Sequence, residues 1–235
     1  MWDETYLLSE LPSDAETEEE VAFIVDVLDL QPGAVVLDLC CGQGRHGQLL
    51  AAQGVKVIGV DSSEFLLKNV AKSAAHLHVV KGDMRHIPIQ GGCDVAINLY
   101  TSFGFFEEED NRRVLREVAS TLKPGGKFLL DYWNPYAVLQ LNHTRNWWWV
   151  SDALLALAVV EYDAEAGYLS DYRTIVELST GEVRDLVNRV RFYFPMELQS
   201  LLAEVNLKVC ALYGDFDHSP FTLESRRMIT IAEKV

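Results

Sequence analysis

Basic residues are scarce in this chain. Twenty Lys and Arg stand against thirty-five Asp and Glu, a net charge of −15. A phosphate backbone is gripped by clusters of Lys and Arg, and no such run is present, so nucleic acid is a poor partner. Anionic membrane surfaces are disfavoured for the same reason. Long apolar runs are missing as well: the longest, Ala153 to Val160, is far too short to span a bilayer. The N-terminal stretch is acidic and polar, the opposite of a secretory leader. Cysteine is sparse, at Cys40, Cys41, Cys93 and Cys210. None forms a C-x-x-C pair or a zinc-like Cys/His spacing, so no metal site is expected and the thiols read as cytosolic and reduced. Adjacent Cys40 and Cys41 read as small residues packed at a strand end rather than as a redox pair. Internal repeats and low-complexity segments are also lacking.

What is present is an ordinary globular composition over 235 residues, enough for one domain of generous size or one carrying an insertion. An acidic run, Glu16 to Glu20, leads into VAFIVDVLDL, whose apolar spacing predicts a helix over Glu18 to Leu30, ended by Gln-Pro-Gly. The acidic lead reads as a solvated helix start. Strands and helices then alternate. Strands are predicted at Ala34 to Leu39, Lys56 to Val60, His76 to Lys81, Cys93 to Leu99 and Lys127 to Trp133. Helices are predicted at Gly44 to Gln53, Ser63 to Ala74 and Glu108 to Leu122. Wholly apolar strands between amphipathic helices indicate a parallel sheet covered on both faces.

The pattern changes after Trp133. Trp147 to Val150, Ala153 to Tyr162, Tyr168 to Leu178 and Glu182 to Phe194 read as successive antiparallel strands, with turns at Asp163 to Gly167 and Ser179 to Gly181. Pro195 to Val205 reads as a helix with Pro in its first turn, and Leu207 to Tyr213 and Arg227 to Ala232 as strands returning to the main sheet. The expected class is α/β: a Rossmann-like, doubly wound, mostly parallel sheet with an antiparallel last strand, plus a small antiparallel β insertion. Residues 1–135 and 192–235 would form the core and 136–191 the insertion.

The stretch Leu39-Cys-Cys-Gly-Gln-Gly-Arg-His-Gly47 carries G-x-G-x-x-G after the first strand. In an open α/β sheet a ligand lies beyond the carboxyl ends of the strands, where glycines let it approach the backbone. Asp61 closes the next strand, where a carboxylate can accept from both ribose hydroxyls. Up to this point NAD(P) and S-adenosylmethionine (SAM) fit equally, because both contain adenosine. Three features favour SAM. Asp38 precedes the turn and Arg45-His46 lie within it, which suits a charged amino-acid end better than a pyrophosphate. Gly82-Asp83-Met84 follows the third strand, where a carboxylate and a backbone N–H can meet adenine. Leu122 to Leu130 is a helix end, a tight turn and a buried strand.

Together VVLDLCCGQGRHGQLL, VIGVDSS, KGDMRHIP, CDVAINLYTSFGFF and LKPGGKFLLDYW resemble the class I SAM-dependent methyltransferases, in that family's order over residues 34 to 133. FYFPMELQSLLAEVNLKVCALYGDF and SRRMITIAEKV resemble the elements that complete its fold. The DLCCGxGRH form is similar to the branch acting on small molecules. The resemblance implies that Asp38, Gly42 and Gly44 hold the methionine end of SAM, with Cys40 beside them. It implies that Asp61 and the adjoining Ser62 meet the ribose, that Asp83 and Met84 frame the adenine, and that Asn98 and Leu99 face the sulfonium and the substrate. The product would be S-adenosylhomocysteine and the acceptor a small molecule, with no nucleic-acid or membrane partner; a homodimer is one use for the insertion. Alternatives are an NAD(P)-dependent oxidoreductase on the same glycine turn, a non-catalytic SAM-binding protein, and a protein or RNA methyltransferase.

SAM brings an electrophilic methyl group, so no fixed catalytic residue is demanded. A base is needed only where the nucleophile must lose a proton. Candidates are His46, in the glycine loop, and Tyr100, in the aromatic stretch Asn98 to Phe106; against His46 stands ordinary packing at a helix start. His218 is a weaker third, and His76, His78, His86 and His143 read as surface or turn residues. Asn134-Pro-Tyr136 is a lookalike of a nucleic-acid amino-methyltransferase motif, displaced to the wrong strand. Trp147-Trp-Trp149 alternates faces on a strand, so core or lid packing is expected of it. Glu107 to Asp110 reads as a solvated helix start. The insertion, over the expected active-site rim, is expected to act as a lid or wall, or as a dimer contact.

Overall fold

The computed structural model describes residues 12–70, 75–140 and 144–235. His143 and residues 71–74 of the helix expected over Ser63 to Ala74 lie outside those residues; that helix ends at Lys68, with Asn69 as its C-cap. Elements run in the order α1 (Asp14–Leu28), β1 (Val35–Leu39), α2 (Arg45–Ala52), β2 (Lys56–Asp61), α3 (Glu64–Lys68), β3 (Leu77–Lys81), β4 (Cys93–Asn98), α4 (Glu108–Thr121) and β5 (Leu122–Trp133). A short helix α5 (Pro135–Gln140) leads to β6 (Arg145–Ser151), β7 (Leu154–Asp163), β8 (Tyr168–Glu177) and β9 (Val183–Arg191). The chain closes with α6 (Pro195–Ala203), β10 (Leu207–Tyr213) and β11 (Arg227–Lys234).

Seven strands form one sheet in the order β10-β11-β5-β4-β1-β2-β3. Strands β1 to β5 pair in parallel, and β11 runs antiparallel to β5 and to β10. The expected antiparallel last strand is therefore observed. Successive side chains of a strand point to opposite faces. Leu37 and Leu39 of β1 accordingly join one core cluster with Phe128, Leu130 and Phe103. Val36 joins another with Val95, Ile97 and the α1 residues Val21, Phe23, Ile24 and Leu28. Burial on both faces explains why these strands are apolar throughout. The order reverses between β1 and β4, and that switch point opens the crevice where ligands of such sheets bind.

Helix α1 begins four residues before the expected Glu18, because a capping box starts it. Glu16 donates its N–H to Ser13 Oγ at 3.2 Å, and Ser13 donates its N–H to Glu16 Oε2 at 2.8 Å. The helix ends at Asp29, left-handed with φ 53°. Strand β5 begins earlier than Lys127: Leu122 pairs with Cys93, and a register shift accommodates the Pro-Gly-Gly turn before Lys127 pairs with Val95. Helix α5 was not expected. It is nucleated by Asn134, whose Oδ1 accepts the Tyr136 N–H at 3.0 Å. Asn134 Nδ2 donates to the carbonyls of Thr222, Leu223 and Ser225. The Asn-Pro-Tyr lookalike is thus a buried junction in the fold.

The remaining strands form a separate antiparallel sheet, β6-β7-β8-β9. Asp163 Oδ1 accepts from the N–H groups of Glu165 and Ala166 in the β7–β8 turn. The second sheet meets the first at Gly104. Arg191 donates its N–H to the Gly104 carbonyl at 2.8 Å, and Tyr132 of β5 donates its hydroxyl to the Arg191 carbonyl. Gly104 has φ 98°, and a Cβ there would stand 2.5 Å from the Arg191 oxygen. The tryptophans depart from expectation. Trp148 is half-buried with the Arg173 guanidinium 5.2 Å from its ring centroid, but Trp147 and Trp149 are 62 % and 56 % exposed. They share the outer sheet face with Leu157, Tyr172, Val183 and Val187, all exposed.

Candidate active site

The glycine turn is built from backbone strain and one carboxylate. After β1, Cys40 is left-handed at φ 63°, and the N–H groups of Cys40 and Cys41 both reach the Val60 carbonyl, at 2.7 and 3.2 Å. Asp61, buried at the end of β2, ties the two neighbouring loops together. Its Oδ2 accepts the Gly42 N–H and its Oδ1 the Ser63 N–H, each at 2.8 Å. A carboxylate has about four acceptor positions, so lone pairs remain for hydroxyl donors. Gly44 caps α2 with φ 74°, where a side chain would be strained.

Two groups here lack a full set of partners. Asn98, ending β4, donates Nδ2–H to the Leu39 carbonyl at 3.0 Å, yet its buried Oδ1 has no hydrogen-bond partner. Buried polar atoms are nearly always paired, so an orphaned acceptor in a ligand crevice points to a ligand donor. Asp38 is buried beside it, and among the described residues no hydrogen-bond donor is placed on its carboxylate. Burial first, and then the charge of Asp61, push its carboxyl up to about 7 against the pull of Arg45. A cation binding there would restore the charged form. Cys40 and Cys41 are free thiols that burial and the nearby carboxylates push well up, so neither is a thiolate nucleophile.

Met84 approaches from beyond β3, its sulfur 3.7 Å from Cys40 Sγ. Leu99 is buried next to Asn98, and the Ser62 side chain is exposed on the loop after β2. Asp83 is differently engaged: both its oxygens accept from Arg85, which also reaches Asp110 at 3.1 Å. The Arg85 guanidinium holds its carboxyl below the usual value, with burial opposing. So the structure gathers Asp38, Cys40, Gly42, Gly44, Asp61, Met84, Asn98 and Leu99 around the carboxyl ends of β1, β2 and β4, and turns Asp83 toward an arginine.

The other half of the site comes from residues that sequence reading passed over. Glu20 belongs to the acidic run taken as solvated, but it is buried. Its Oε2 lies 2.7 Å from His46 Nε2, and its Oε1 accepts the Tyr100 hydroxyl. Burial works to raise the Glu20 carboxyl, but the bonds from His46 and Tyr100 outweigh it and hold it below the usual value. Burial depresses His46, with Arg45 adding and Glu20 opposing. Tyr100 is pushed up to about 12, by burial and then by its bond to Glu20. The guanidinium groups of Arg45 and Arg227 stand 4.3 and 4.5 Å from the Tyr100 ring centroid. Arg227, opening β11, places Nη1 2.8 and 2.7 Å from the two oxygens of Asp131 on β5. Asp131 in turn accepts the Tyr100 N–H at 2.7 Å and supports its left-handed backbone, φ 57°.

Two cavities meet at Tyr100. A small one is lined by Asp38, Cys40, Gly42, Arg45, His46 and Leu99, among others. A larger one of about 630 Å³ is lined by Glu16, Glu19, Glu20, Tyr100, Phe216 and Arg227, with Asp215, Asp217 and Arg226 at the same wall. His218 is not part of it: the ring is exposed, 3.0 Å from Asp26 and against Phe23. His76, His78 and His86 are exposed, as expected. Among the described residues no group of three His, Cys, Asp or Glu could hold a metal ion, and no helix is long and apolar enough to cross a membrane.

A signal for Glu20 was available. Thr17, Glu20, Ile24 and Leu28 fall at helical spacing on one buried stripe of α1. Arg227 and Asp131 are opposite charges inside two apolar strands, a pattern that demands pairing.

Comparison with known proteins places this geometry. Residues 36–126 match the family model described as a methyltransferase domain. Cypemycin N-terminal methyltransferase from a Streptomyces species is 27% identical over 206 residues, covering 86% of this chain and 84% of its own length. Glycine/sarcosine N-methyltransferase from Aphanothece halophytica is 28% identical over 232 residues, covering 94% of this chain and 83% of its own. Among solved structures, the CcbJ methyltransferase from Streptomyces caelestis superposes with a TM-score of 0.83 at 23% identity, over 99% of this chain and 96% of that one. Residues 36–126 thus match a methyltransferase domain, and the chain shares its fold with SAM-dependent methyltransferases; the matches give no footing to the dinucleotide alternative.

Proposed function

We propose that the protein transfers a methyl group from SAM to an amine nitrogen of a small molecule held in the 630 Å³ cavity. The observation that carries this is the meeting of the two cavities at Tyr100. One is floored by the glycine turn, and the other is walled by Glu16, Glu19, Glu20, Asp215 and Asp217. Carboxylates favour an acceptor that is cationic before it loses its proton. Of two relatives of nearly full coverage, one is named an N-terminal methyltransferase and the other a glycine/sarcosine N-methyltransferase.

The unpaired Asn98 Oδ1 and the donor-free Asp38 carboxylate fit a ligand with an ammonium and other N–H or O–H donors. Asp38, Gly42 and Gly44 would hold the amino-acid end of SAM, Asp61 its ribose, and Met84 would lie against the adenine. Bound SAM supplies a methyl group on a sulfonium, already electrophilic. The chain's task is to align an acceptor lone pair with that methyl, keep water out and take up one proton. Among the described residues the cavity wall is contributed by Pro12 and α1, the loop after β4, the segment between β10 and β11, and Arg227 of β11, with nothing from β6 to β9. The lid role expected of the insertion therefore finds no support in this wall.

The test is turnover of SAM with panels of small primary and secondary amines, phenols and alcohols, read as S-adenosylhomocysteine formed and as methylated product by mass spectrometry. N-methylated products are expected. Methylation confined to oxygen acceptors would overturn the amine assignment, and tight SAM binding without transfer to any panel would point to a non-catalytic SAM-binding protein.

A further inference from the structure

We propose that Glu20 is a positioning residue for proton removal from the acceptor: its carboxylate holds His46 as the Nε2–H imidazole, leaving Nδ1 to take the proton, and holds Tyr100 as a neutral phenol. The proposal rests on the methyl-transfer reading above.

The geometry is specific. One buried carboxylate receives two donors from separate elements, His46 in the first turn of α2 and Tyr100 after β4. A carboxylate only accepts, so the hydrogen in the 2.7 Å contact belongs to His46 Nε2. The ring lone pair then lies on Nδ1. His46 lines the cavity of the glycine turn, Glu20 the acceptor cavity, and Tyr100 both. The imidazole therefore stands at the partition between them. Facing it are Glu20 from α1, Arg45 from its own helix, Tyr100 from the loop after β4, at 6.1 Å between ring centroids, and Asp131 from β5. Burial and Arg45 keep the ring uncharged at neutral pH, which is the form a base must have. Tyr100 is excluded as the base because its hydroxyl is spent on Glu20 and its acidity is suppressed.

In the reaction the proton of the cationic acceptor amine passes first to His46 Nδ1. The freed lone pair then forms the new N–C bond while the C–S bond breaks with its pair retained by sulfur. The methylated product leaves as an ammonium and His46 returns its proton to water, so charge and atoms balance. Glu20 lines the acceptor cavity but exchanges no proton with the acceptor in this scheme; it acts through His46.

Two measurements test it. The first is nitrogen NMR of histidine-labelled protein saturated with S-adenosylhomocysteine, titrated in wild type and Glu20→Gln. The expected result is a neutral Nε2–H tautomer in wild type and a titration moved about one pH unit lower in Glu20→Gln, because a favourable neighbouring charge is gone. The second is the pH profile of kcat/KM with the amine panel. Glu20→Gln should lower kcat about 10- to 100-fold and move the acidic limb to lower pH, with affinity for S-adenosylhomocysteine unchanged within about twofold. Tyr100→Phe should leave that limb in place. An Nδ1–H tautomer, an unmoved limb, or a loss of kcat matched by an equal loss of S-adenosylhomocysteine affinity would each overturn the proposal. If no amine is methylated by wild type, the function reading falls, while the NMR titration still decides what Glu20 does to His46.

Discussion

The two sheets of this molecule solve burial in opposite ways. The seven-stranded sheet is covered on both faces, and several of its buried polar groups hold one another: Asp131 with Arg227 and the Tyr100 N–H, and Asp61 with Gly42 and Ser63. The four-stranded sheet leaves one face to solvent, and one of its ion pairs, Arg184–Glu182, is exposed on both sides. In a dry interior a charge interacts strongly and is costly to leave alone; at the surface, water screens it. The site residues all belong to the first sheet and its helices. The difference teaches that polar chemistry here is concentrated where the surroundings amplify it.

That contrast can be broken by experiment. The largest effect is expected at Arg227→Met, which strands the Asp131 carboxylate in the core. A loss of about 3–5 kcal/mol in urea unfolding is predicted, against at most about 0.5 kcal/mol for Arg184→Met on β9. Equal losses would show that the buried pair is no more costly to break than an exposed one. Next is Asp61→Ala, which removes the acceptor for two backbone N–H groups and the proposed ribose partner. Calorimetric affinity for S-adenosylhomocysteine should fall by about 100-fold or more; retention of binding would remove Asp61 from the cofactor site. Smaller again is Gly104→Ala, at the joint of the sheets. The added methyl meets the Arg191 carbonyl and the Tyr132 hydroxyl, and about 1–3 kcal/mol should be lost. A neutral result would mean that the joint yields easily. The smallest effect is expected for Trp147→Ser and Trp149→Ser, about 0.5 kcal/mol or less each, with cofactor affinity unchanged. A larger change, or an altered elution volume, would show that this face is covered in solution.

The seven-stranded sheet was legible because its strands are apolar runs and its turns carry glycine where the backbone is left-handed. Gly42, Gly44 and Asp61 were read from their positions, since strand ends in such a sheet converge, and Asn98 from the family resemblance. The outer strands were located within a few residues, but not which face of them would stay wet: Trp147 and Trp149 look like core, yet among the described residues both stand exposed. Glu20 and Arg227 were missed for another reason. Their partners lie 26 and 96 residues away in sequence, at His46 and Asp131, so helical spacing or a charge inside an apolar strand marks each residue as buried but does not name its partner. Helix α5 was missed because a single asparagine nucleates it through contacts to a loop nearly ninety residues on.

Asp38 carries a thermodynamic consequence of its own. In the free protein its carboxyl titrates at about 7, so near neutrality many molecules hold a proton there. Under the proposed assignment the ammonium of the cofactor settles against that carboxylate and expels the proton. Cofactor capture is then an acid-releasing event, and its heat should differ between buffers according to their own enthalpies of ionisation, most strongly just below neutrality and hardly at all well above it.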